Sequence, residues 1–165
     1  MQVTRASEYA VLGLIALSRR PQGEVVMLDV LAQEEDVPTS FLGKIFQSLA
    51  KAGLVRSARG SGGGFALARP AIEITALAVL EAVEGPLALT RCLDTDLGCE
   101  HAGGCALCGL FSAAQERVRE VFAQATIAEL ASRHIPGGAV RAARERTPIV
   151  FRPDGSRTPV ANVTN

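Results

Sequence analysis

The sequence predicts a mainly α-helical fold with one small β-hairpin and a long helix near its end, and three observations support this. Apolar residues recur at helical spacing in several segments before residue 85. Two short extended runs, LVRSA and GFALA, flank the glycine-rich turn RGSGGG, which is typical of a hairpin with a flexible tip. After Cys108 the apolar residues again recur at spacings of three and four. We therefore expect a small helical domain with a hairpin, followed by a projecting helix.

Three helices are expected before the hairpin, each with a recognisable start or end. Thr4 can cap a first helix over TRASEYAVLGLIALSRR, and PQGE breaks the chain after it. MLDVLAQEED predicts a second, shorter helix. Pro38 then breaks the chain, Thr39 or Ser40 starts and caps the third helix SFLGKIFQSLAKAGL, and Gly53 closes it in the C′ position.

The third helix is expected to have two chemically different faces. Its apolar face points to the core and consists of Phe41, Leu42, Ile45, Phe46 and Leu49. Its outer face carries small, polar or basic residues, namely Ser40, Gly43, Lys44, Gln47 and Lys51. A basic outer face over an apolar inner one is what a helix in the major groove of DNA requires.

The elements after the hairpin are also delimited by caps. Thr75 caps a fourth helix, TALAVLEAVEG, and Gly85 closes it. The segment TIAE at 126–129 is a capping box that starts a short last helix. The long helix before it, of about 16 residues, has a single apolar side and so requires a partner surface.

These elements divide the chain into four parts. We expect a DNA-binding domain over 1–85, a cysteine loop over 86–109, and a dimerisation helix with a short following helix over 110–134. The last segment, 135–165, is rich in Pro, Gly, Arg and Thr, lacks apolar periodicity and is expected to be a mobile tail.

The charge distribution supports nucleic-acid binding although the net charge is zero. From Pro38 to Arg69 there are five basic residues and no acid. With the order helix, helix, helix, glycine-tipped hairpin, this predicts a winged helix-turn-helix. The residues expected at DNA are Thr39, Ser40, Lys44, Gln47, Lys51, Arg56, Arg59, Gly60, Gly62 and Gly63.

Each feature has a simpler explanation: the basic stripe could be a solvated helix face, and the glycine-rich turn could be a flexible hairpin. Only the combination of these features favours DNA binding. The glycine-rich turn lacks the Lys-Ser/Thr ending of a phosphate loop.

All four cysteines lie within one segment of eighteen residues, Arg91 to Cys108. Cys92, Cys99, Cys105 and Cys108 have the spacing C-x6-C-x5-C-x2-C. Four thiolates can bind zinc or an iron–sulfur cluster, and the long gaps favour the larger cluster. Zinc, unpaired thiols and two disulfides remain alternatives, and His101 is a further donor that is not assigned as a ligand.

Composition excludes other classes of protein. The longest apolar run, Tyr9 to Leu17, is far shorter than the ~20 residues that span a bilayer, and the N-terminus has no signal-peptide layout, so we expect a cytoplasmic protein without a membrane partner. In that compartment thiols stay reduced, which argues against disulfides. No nucleophile–base pair or dinucleotide motif is apparent, so no enzymatic activity is expected.

The sequence resembles the IscR/NsrR/RirA-type bacterial transcriptional regulators, winged-helix dimers of which many bind an iron–sulfur cluster. The resemblance covers roughly residues 1 to 134. It rests on EYAVLGLIAL, on VPTSFLGKIFQSLAKAGLVRSARGSGGGFALAR, on the cysteine loop and on TIAELA. It implies that Ser40 and Lys44 lie at the DNA face of the third helix, that Arg59 enters the minor groove, and that the helix starting near Leu110 forms the dimer interface.

The resemblance also implies a ligand set. Cys92, Cys99 and Cys105 match the three cysteine ligands of the family, and Cys108 stands near the position where IscR has a histidine ligand. Glu8 matches an acidic ligand of NsrR-like members, so the fourth ligand stays open between these residues.

The resemblance does not extend to one DNA-reading position. Gly43 stands where IscR-like members carry a glutamate that discriminates between DNA sites, so operator preference does not carry over. The hypothesis is a homodimeric repressor of promoter DNA that is controlled by a 2Fe–2S or 4Fe–4S cluster and senses iron or cluster status, redox state or nitric oxide. A zinc-stabilised winged-helix repressor without sensing is the alternative.

Overall fold

The computed structural model describes residues 3–60, 62–90, 93, 106–137, 149–151 and 157–159. Within these ranges the chain forms six α-helices, two antiparallel strand pairs and one 3-10 turn. The helices are α1 (Arg5–Ser18), α2 (Leu28–Glu35), α3 (Thr39–Lys51), α4 (Ala76–Glu84), α5 (Ala106–Gln124) and α6 (Ile127–Arg133). The strands are β1 (Val55–Ala58), β2 (Gly64–Leu67), β3 (Ile149–Phe151) and β4 (Arg157–Pro159), and the 3-10 turn is Ala71–Glu73.

The core lies where α1 crosses α3. Gly13 of α1 faces Phe46, and a Cβ atom at Gly13 would lie 2.6 Å from the ring of Phe46. Glycine at this position therefore lets the ring approach the backbone of α1. Phe46 is fully buried, and burying such a side chain contributes about 1.5–3 kcal/mol. Its ring also meets Phe65 of the hairpin edge-on, with the centroids 5.0 Å apart, so one residue joins α1, α3 and β2.

The predicted hairpin is present. Val55 pairs with Leu67 and Ala58 with Gly64, in antiparallel register. Val26, which precedes α2, forms an isolated bridge to β2: it exchanges two backbone hydrogen bonds of 2.9 Å with Phe65. The hairpin is thereby attached to the helical domain along its second strand.

The predicted caps are confirmed by their hydrogen bonds. The Thr4 hydroxyl accepts from the backbone N–H of Ala6 at 3.1 Å, and the Thr75 hydroxyl accepts from Ala78 at 3.2 Å. Thr126 and Glu129 form both hydrogen bonds of a capping box, at 3.0 and 3.2 Å. These hydroxyls bond to N–H groups that have no partner inside the helix, which is why the helices begin at these positions.

The start of α3 corrects one expectation. Pro38 is the N-cap, and no side chain caps the helix. The predicted start at Thr39 is confirmed, but neither Thr39 nor Ser40 is the cap. Proline fits the N-cap because its fixed φ of −62° already suits entry into the helix.

The position of Phe41 corrects a second expectation. We predicted it on the apolar inner face, but its side chain is 60% exposed. Residue 41 lies at the edge of the apolar face and in the first turn of the helix. The elements that cover Leu42 and Phe46 therefore do not cover Phe41.

Helix α5 begins at Ala106, earlier than expected, and has 19 residues. Cys108 therefore lies in its first turn and not in the preceding loop. Ala106, Leu107 and Leu110 are strong helix formers, so the helix extends through Gly109 at a cost of about 1 kcal/mol.

Two short strands, β3 and β4, lie within the segment expected to be a mobile tail. No helix among the described residues is long and apolar enough to cross a membrane.

Candidate nucleic-acid interface and cysteine segment

The outer face of α3 carries the residues predicted to meet DNA. Ser40, Lys44, Gln47 and Lys51 are all exposed and recur at spacings of four, three and four, which keeps them on one side of the helix. The opposite side consists of the buried residues Leu42, Ile45, Phe46 and Leu49. The buried side anchors α3 in the core, so the basic side faces outward.

The N-terminus of α3 is suited to an anion. Thr39 and Ser40 are exposed, and the first turn contains no acidic residue. The N–H groups of Phe41 and Leu42 bond to the carbonyl of Pro38, at 3.1 and 3.2 Å, and the side chain of the N-cap residue Pro38 makes no capping hydrogen bond. The first N–H groups of a helix lack intrahelical partners, and with the positive end of the helix dipole they favour an anion such as a phosphate at this position.

The tip of the hairpin is shaped by its glycines. Gly60 has a backbone φ of 115°, which residues with a side chain rarely adopt. Its carbonyl oxygen accepts a hydrogen bond of 2.9 Å from the backbone N–H of Gly63. A Cβ at Gly63 would lie 2.8 Å from the carbonyl oxygen of Ala58. Gly62 is exposed with open space around it, and Arg59 is exposed beside this turn. The tip can therefore approach a surface closely with one guanidinium at its side.

The basic residues of this segment differ in their surroundings. Lys44, Lys51 and Arg59 are exposed and form no ion pair with any described residue. Their charge remains available to an anionic ligand. Arg56 differs, because its guanidinium donates to the carbonyl of Gly23 at 3.3 Å in the loop between α1 and α2.

The cysteine segment is described only in part. Cys108 has a free, half-buried thiol in the first turn of α5. Cys92, Cys99, Cys105 and His101 lie outside the described residues. No group of three potential metal ligands occurs within the described part of the chain.

A largely apolar groove lies between α1, α4, α5 and α6. Its volume is about 550 Å³, and its lining includes Val11, Leu12, Leu80 and Phe122. Glu8 of α1 lines the groove and is exposed. On α5 the large side chains Leu107, Leu110 and Val121 are between 57% and 63% exposed.

Two features of the structure were not predicted from the sequence. The exposure of Phe41 depends on how far the neighbouring elements extend over the first turn of α3, which periodicity does not give. Glu35 is a buried carboxylate that bonds to Arg19 at 2.8 Å and to His134 at 2.7 Å. Its partners are distant in sequence, so no local pattern marks it.

Comparison with known proteins gives a consistent result. The profile of the Rrf2 family, described as iron-dependent transcriptional regulators, matches residues 3–133. The HTH-type transcriptional regulator Rv1287 of Mycobacterium tuberculosis is 37% identical over 138 residues, which are 82% of this chain and 84% of that protein. The HTH-type transcriptional regulator IscR of Serratia proteamaculans is 33% identical over 130 residues, 79% of each chain.

Solved structures resemble the fold as well. CymR, the global cysteine regulator of B. subtilis, superimposes with a TM-score of 0.67 at 26% identity, over 82% of this chain and 99% of that one. IscR of T. potens has a TM-score of 0.62 at 22% identity over 88% and 90% of the two chains, which supports the fold alone.

Proposed function

Because this chain belongs to the Rrf2 family of transcriptional regulators, we propose that it is a homodimeric repressor whose affinity for promoter DNA is set by an iron–sulfur cluster. The observation that carries the DNA-binding part is the exposed basic side of α3, a helix with proline as its N-cap and no acidic residue in its first turn. Lys44 and Lys51 would contact DNA from α3, and Arg59 from the hairpin, which would act as the wing.

The donor set fits an iron–sulfur cluster. Cys92, Cys99, Cys105 and Cys108 are the ligands that we assign, and four thiolates are the usual ligand set for such a cluster. The relatives include IscR proteins, and the family is described as iron-dependent, which favours iron over zinc. When bound, a cluster supplies reversible one-electron chemistry. Four thiolates place more negative charge around it than a set with a histidine, so we expect a readily oxidised cluster.

The route from the cysteines to the DNA face runs through α5. Cys108 lies at the start of α5, and α5 is tied to α4 by Arg119, which contacts Glu81 at 2.7 Å. The backbone N–H of Leu89, beyond α4, donates to the Gln115 side chain of α5 at 3.0 Å. Helix α4 in turn packs on α3. A change at the cysteines would therefore shift the two α3 helices of a dimer relative to each other, and half-site spacing is a strict requirement for binding.

The apolar side of α5 supports the dimer. Leu107, Leu110 and Val121 are exposed on it, and Val121 borders the groove between α1 and α5. A second copy of α5 would cover these side chains and remove them from water.

The first test is anaerobic purification followed by a visible absorbance spectrum and analysis of iron, sulfide and zinc. We expect a brown protein containing iron and sulfide, and Cys108→Ala should lose most of the iron. Ser112→Ala, an exposed position one turn further along α5, serves as the matched control and should keep it. A colourless protein with one zinc ion per chain would contradict the cluster.

The second test compares DNA binding by the holo and apo proteins. We expect their affinities for the same promoter duplex to differ by at least about tenfold, since a coupling of 1–3 kcal/mol is typical of such linkage. Equal affinities would contradict cluster control, whereas the absence of any sequence-specific binding would contradict the DNA-binding function itself.

A further inference from the structure

Phe41 is the exposed aromatic residue of α3. Its side chain is 60% exposed, whereas Phe46, one and a half turns along the same helix, is fully buried. Helix α3 buries its other large apolar side chains on the side that faces the core. The ring of Phe41 therefore points away from the core, beside the residues that we assign to DNA.

The position of Phe41 brings it close to the DNA side of the helix. It is the third residue of α3, next to Ser40, and Lys44 follows three residues later on the adjoining surface. The N-terminal residues of the DNA-reading helix are those that reach base edges in this class of protein. The ring would accordingly enter the major groove together with the first turn of α3.

The opposite flank of the helix offers no comparable contact. Gly43 has no side chain, and a Cβ placed there would meet Leu28 of α2 at 3.5 Å. That flank faces the neighbouring helix. Selectivity at this end of α3 therefore depends on Ser40, Phe41 and Lys44.

The chemistry of a phenyl ring restricts what it can recognise in the groove. It neither donates nor accepts a conventional hydrogen bond, and the apolar group that the major groove presents is the C5 methyl of thymine. We propose that Phe41 is a specificity-determining residue that selects thymine by packing its ring against this methyl group. The inference rests on the proposed DNA-binding function and extends it to a residue outside the predicted set.

The test uses the holo protein and DNA duplexes that it selects from a random-sequence library. Each thymine of the selected site is replaced in turn by deoxyuridine, which removes the methyl group and leaves base pairing unchanged. We expect the wild type to lose about fourfold in affinity at one thymine of each half-site, the effect of one buried methyl group. In Phe41→Ala the same replacement should change affinity less than about twofold, because the ring that contacts the methyl is absent.

Matched variants separate reading of thymine from general effects. Ile72→Ala removes a side chain of similar exposure, 58%, from the 3-10 turn after the wing, and should keep the wild-type response to deoxyuridine. Phe41→Leu retains an apolar side chain and should keep a measurable part of that response. Phe41 is exposed and alanine favours helices, so both variants at this position should unfold at the wild-type temperature.

The outcomes distinguish this inference from the function on which it rests. Tight, sequence-specific binding that is indifferent to every thymine methyl would overturn the role of Phe41 and leave the DNA-binding function intact. An equal response to deoxyuridine in the wild type and Phe41→Ala would also overturn it, and would favour contact of this ring with a protein partner. If no duplex is selected at all, the proposed function and the inference fail together.

Discussion

At the scale of single residues, Gly64 shows how a close backbone contact holds the wing. A Cβ at Gly64 would lie 2.2 Å from the carbonyl oxygen of Val26, which is well inside van der Waals contact. The two hydrogen bonds between Val26 and Phe65 require this approach. Residue 64 is therefore glycine because a Cβ atom would clash with Val26, and not because of its backbone conformation.

Gly64→Ala should destabilise the protein by about 1–3 kcal/mol, because the wing must separate from Val26 to make room for the methyl group. Urea unfolding followed by circular dichroism measures this. Gly62→Ala in the same hairpin meets no atom within 4 Å and is the matched control, with an expected change of less than about 0.5 kcal/mol. Equal stability of the two variants would contradict the close contact.

Glu84 links the end of α4 to the start of α1. The hydroxyls of Ser7 and Thr4 donate to its Oε1 at 2.6 and 2.5 Å. The Ser7 hydroxyl, followed by that of Thr4, holds the pKa of Glu84 below its ordinary value of 4.5. Because the folded-state pKa is the lower one, this carboxylate stabilises the fold above about pH 4.5, and the contribution is lost as the pH falls through the folded-state value.

Glu84→Gln should therefore lower stability at pH 7 by about 1 kcal/mol and reduce the loss of stability below pH 4.5, because a neutral amide accepts weaker hydrogen bonds and does not titrate. Thermal unfolding at a series of pH values measures both effects. Glu24→Gln, at an exposed position between α1 and α2, should leave the profile unchanged. If the wild type and Glu84→Gln have parallel profiles in acid, the bonds to Ser7 and Thr4 do not stabilise the charged form.

At the scale of elements, α5 has two different sides. One side is apolar and exposed at Leu107, Leu110 and Val121, next to the groove of about 550 Å³. The opposite side carries exposed polar residues such as Ser112 and Glu116, while Arg117 and Glu120 form an exposed ion pair at 2.7 Å beside the apolar side. A helix with this asymmetry is stable in water only when its apolar side is covered.

Val121→Asp should shift the protein toward the monomer and raise the dimer dissociation constant at least about tenfold, since an unpaired carboxylate would be placed in an apolar contact. Sedimentation velocity over a range of concentrations measures this. Ala113→Asp puts the same charge on another exposed position of α5 and should leave the dimer intact. An unaffected dimer in Val121→Asp would place the interface elsewhere on the molecule.

At the scale of the whole molecule, Glu35 joins three separate parts of the chain. Its buried carboxylate bonds to Arg19 after α1 at 2.8 Å, to His134 after α6 at 2.7 Å, and to the backbone N–H of Gly137 at 3.4 Å. Its own position ends α2, next to the turn that leads into α3. The segment after α6 is thereby bonded to the end of α2.

Glu35→Ala should cost about 1–3 kcal/mol of stability, because it removes a buried acceptor that bonds to Arg19 and His134, both of which are only partly buried. Its neighbour Glu34 provides the matched control. Glu34 pairs with Arg20 nearer the surface, where both side chains are about one-third exposed, so Glu34→Ala should cost no more than about 1 kcal/mol. Chemical unfolding measures both variants, and similar losses would contradict a special role for the buried carboxylate.

The sequence by itself determined the starts of α1, α4 and α6, the hairpin and the basic segment. Thr4, Thr75 and Thr126 cap their helices through bonds to N–H groups two or three residues away. A helix cap, a glycine turn and an apolar periodicity each depend on residues that are close in the sequence, so they can be predicted from the sequence alone. The exposed basic side of α3 followed from the same periodicity.

The tertiary structure alone decided which side chains meet across the fold. Glu35 bonds to His134, 99 positions away, and the Arg56 guanidinium turns to Gly23. Phe41 stayed exposed although its apolar character predicted burial, because no other element covers the first turn of α3 at that point. Periodicity states which side of a helix is apolar, but burial depends on how far the neighbouring elements extend, and that is set by the packing of the whole chain.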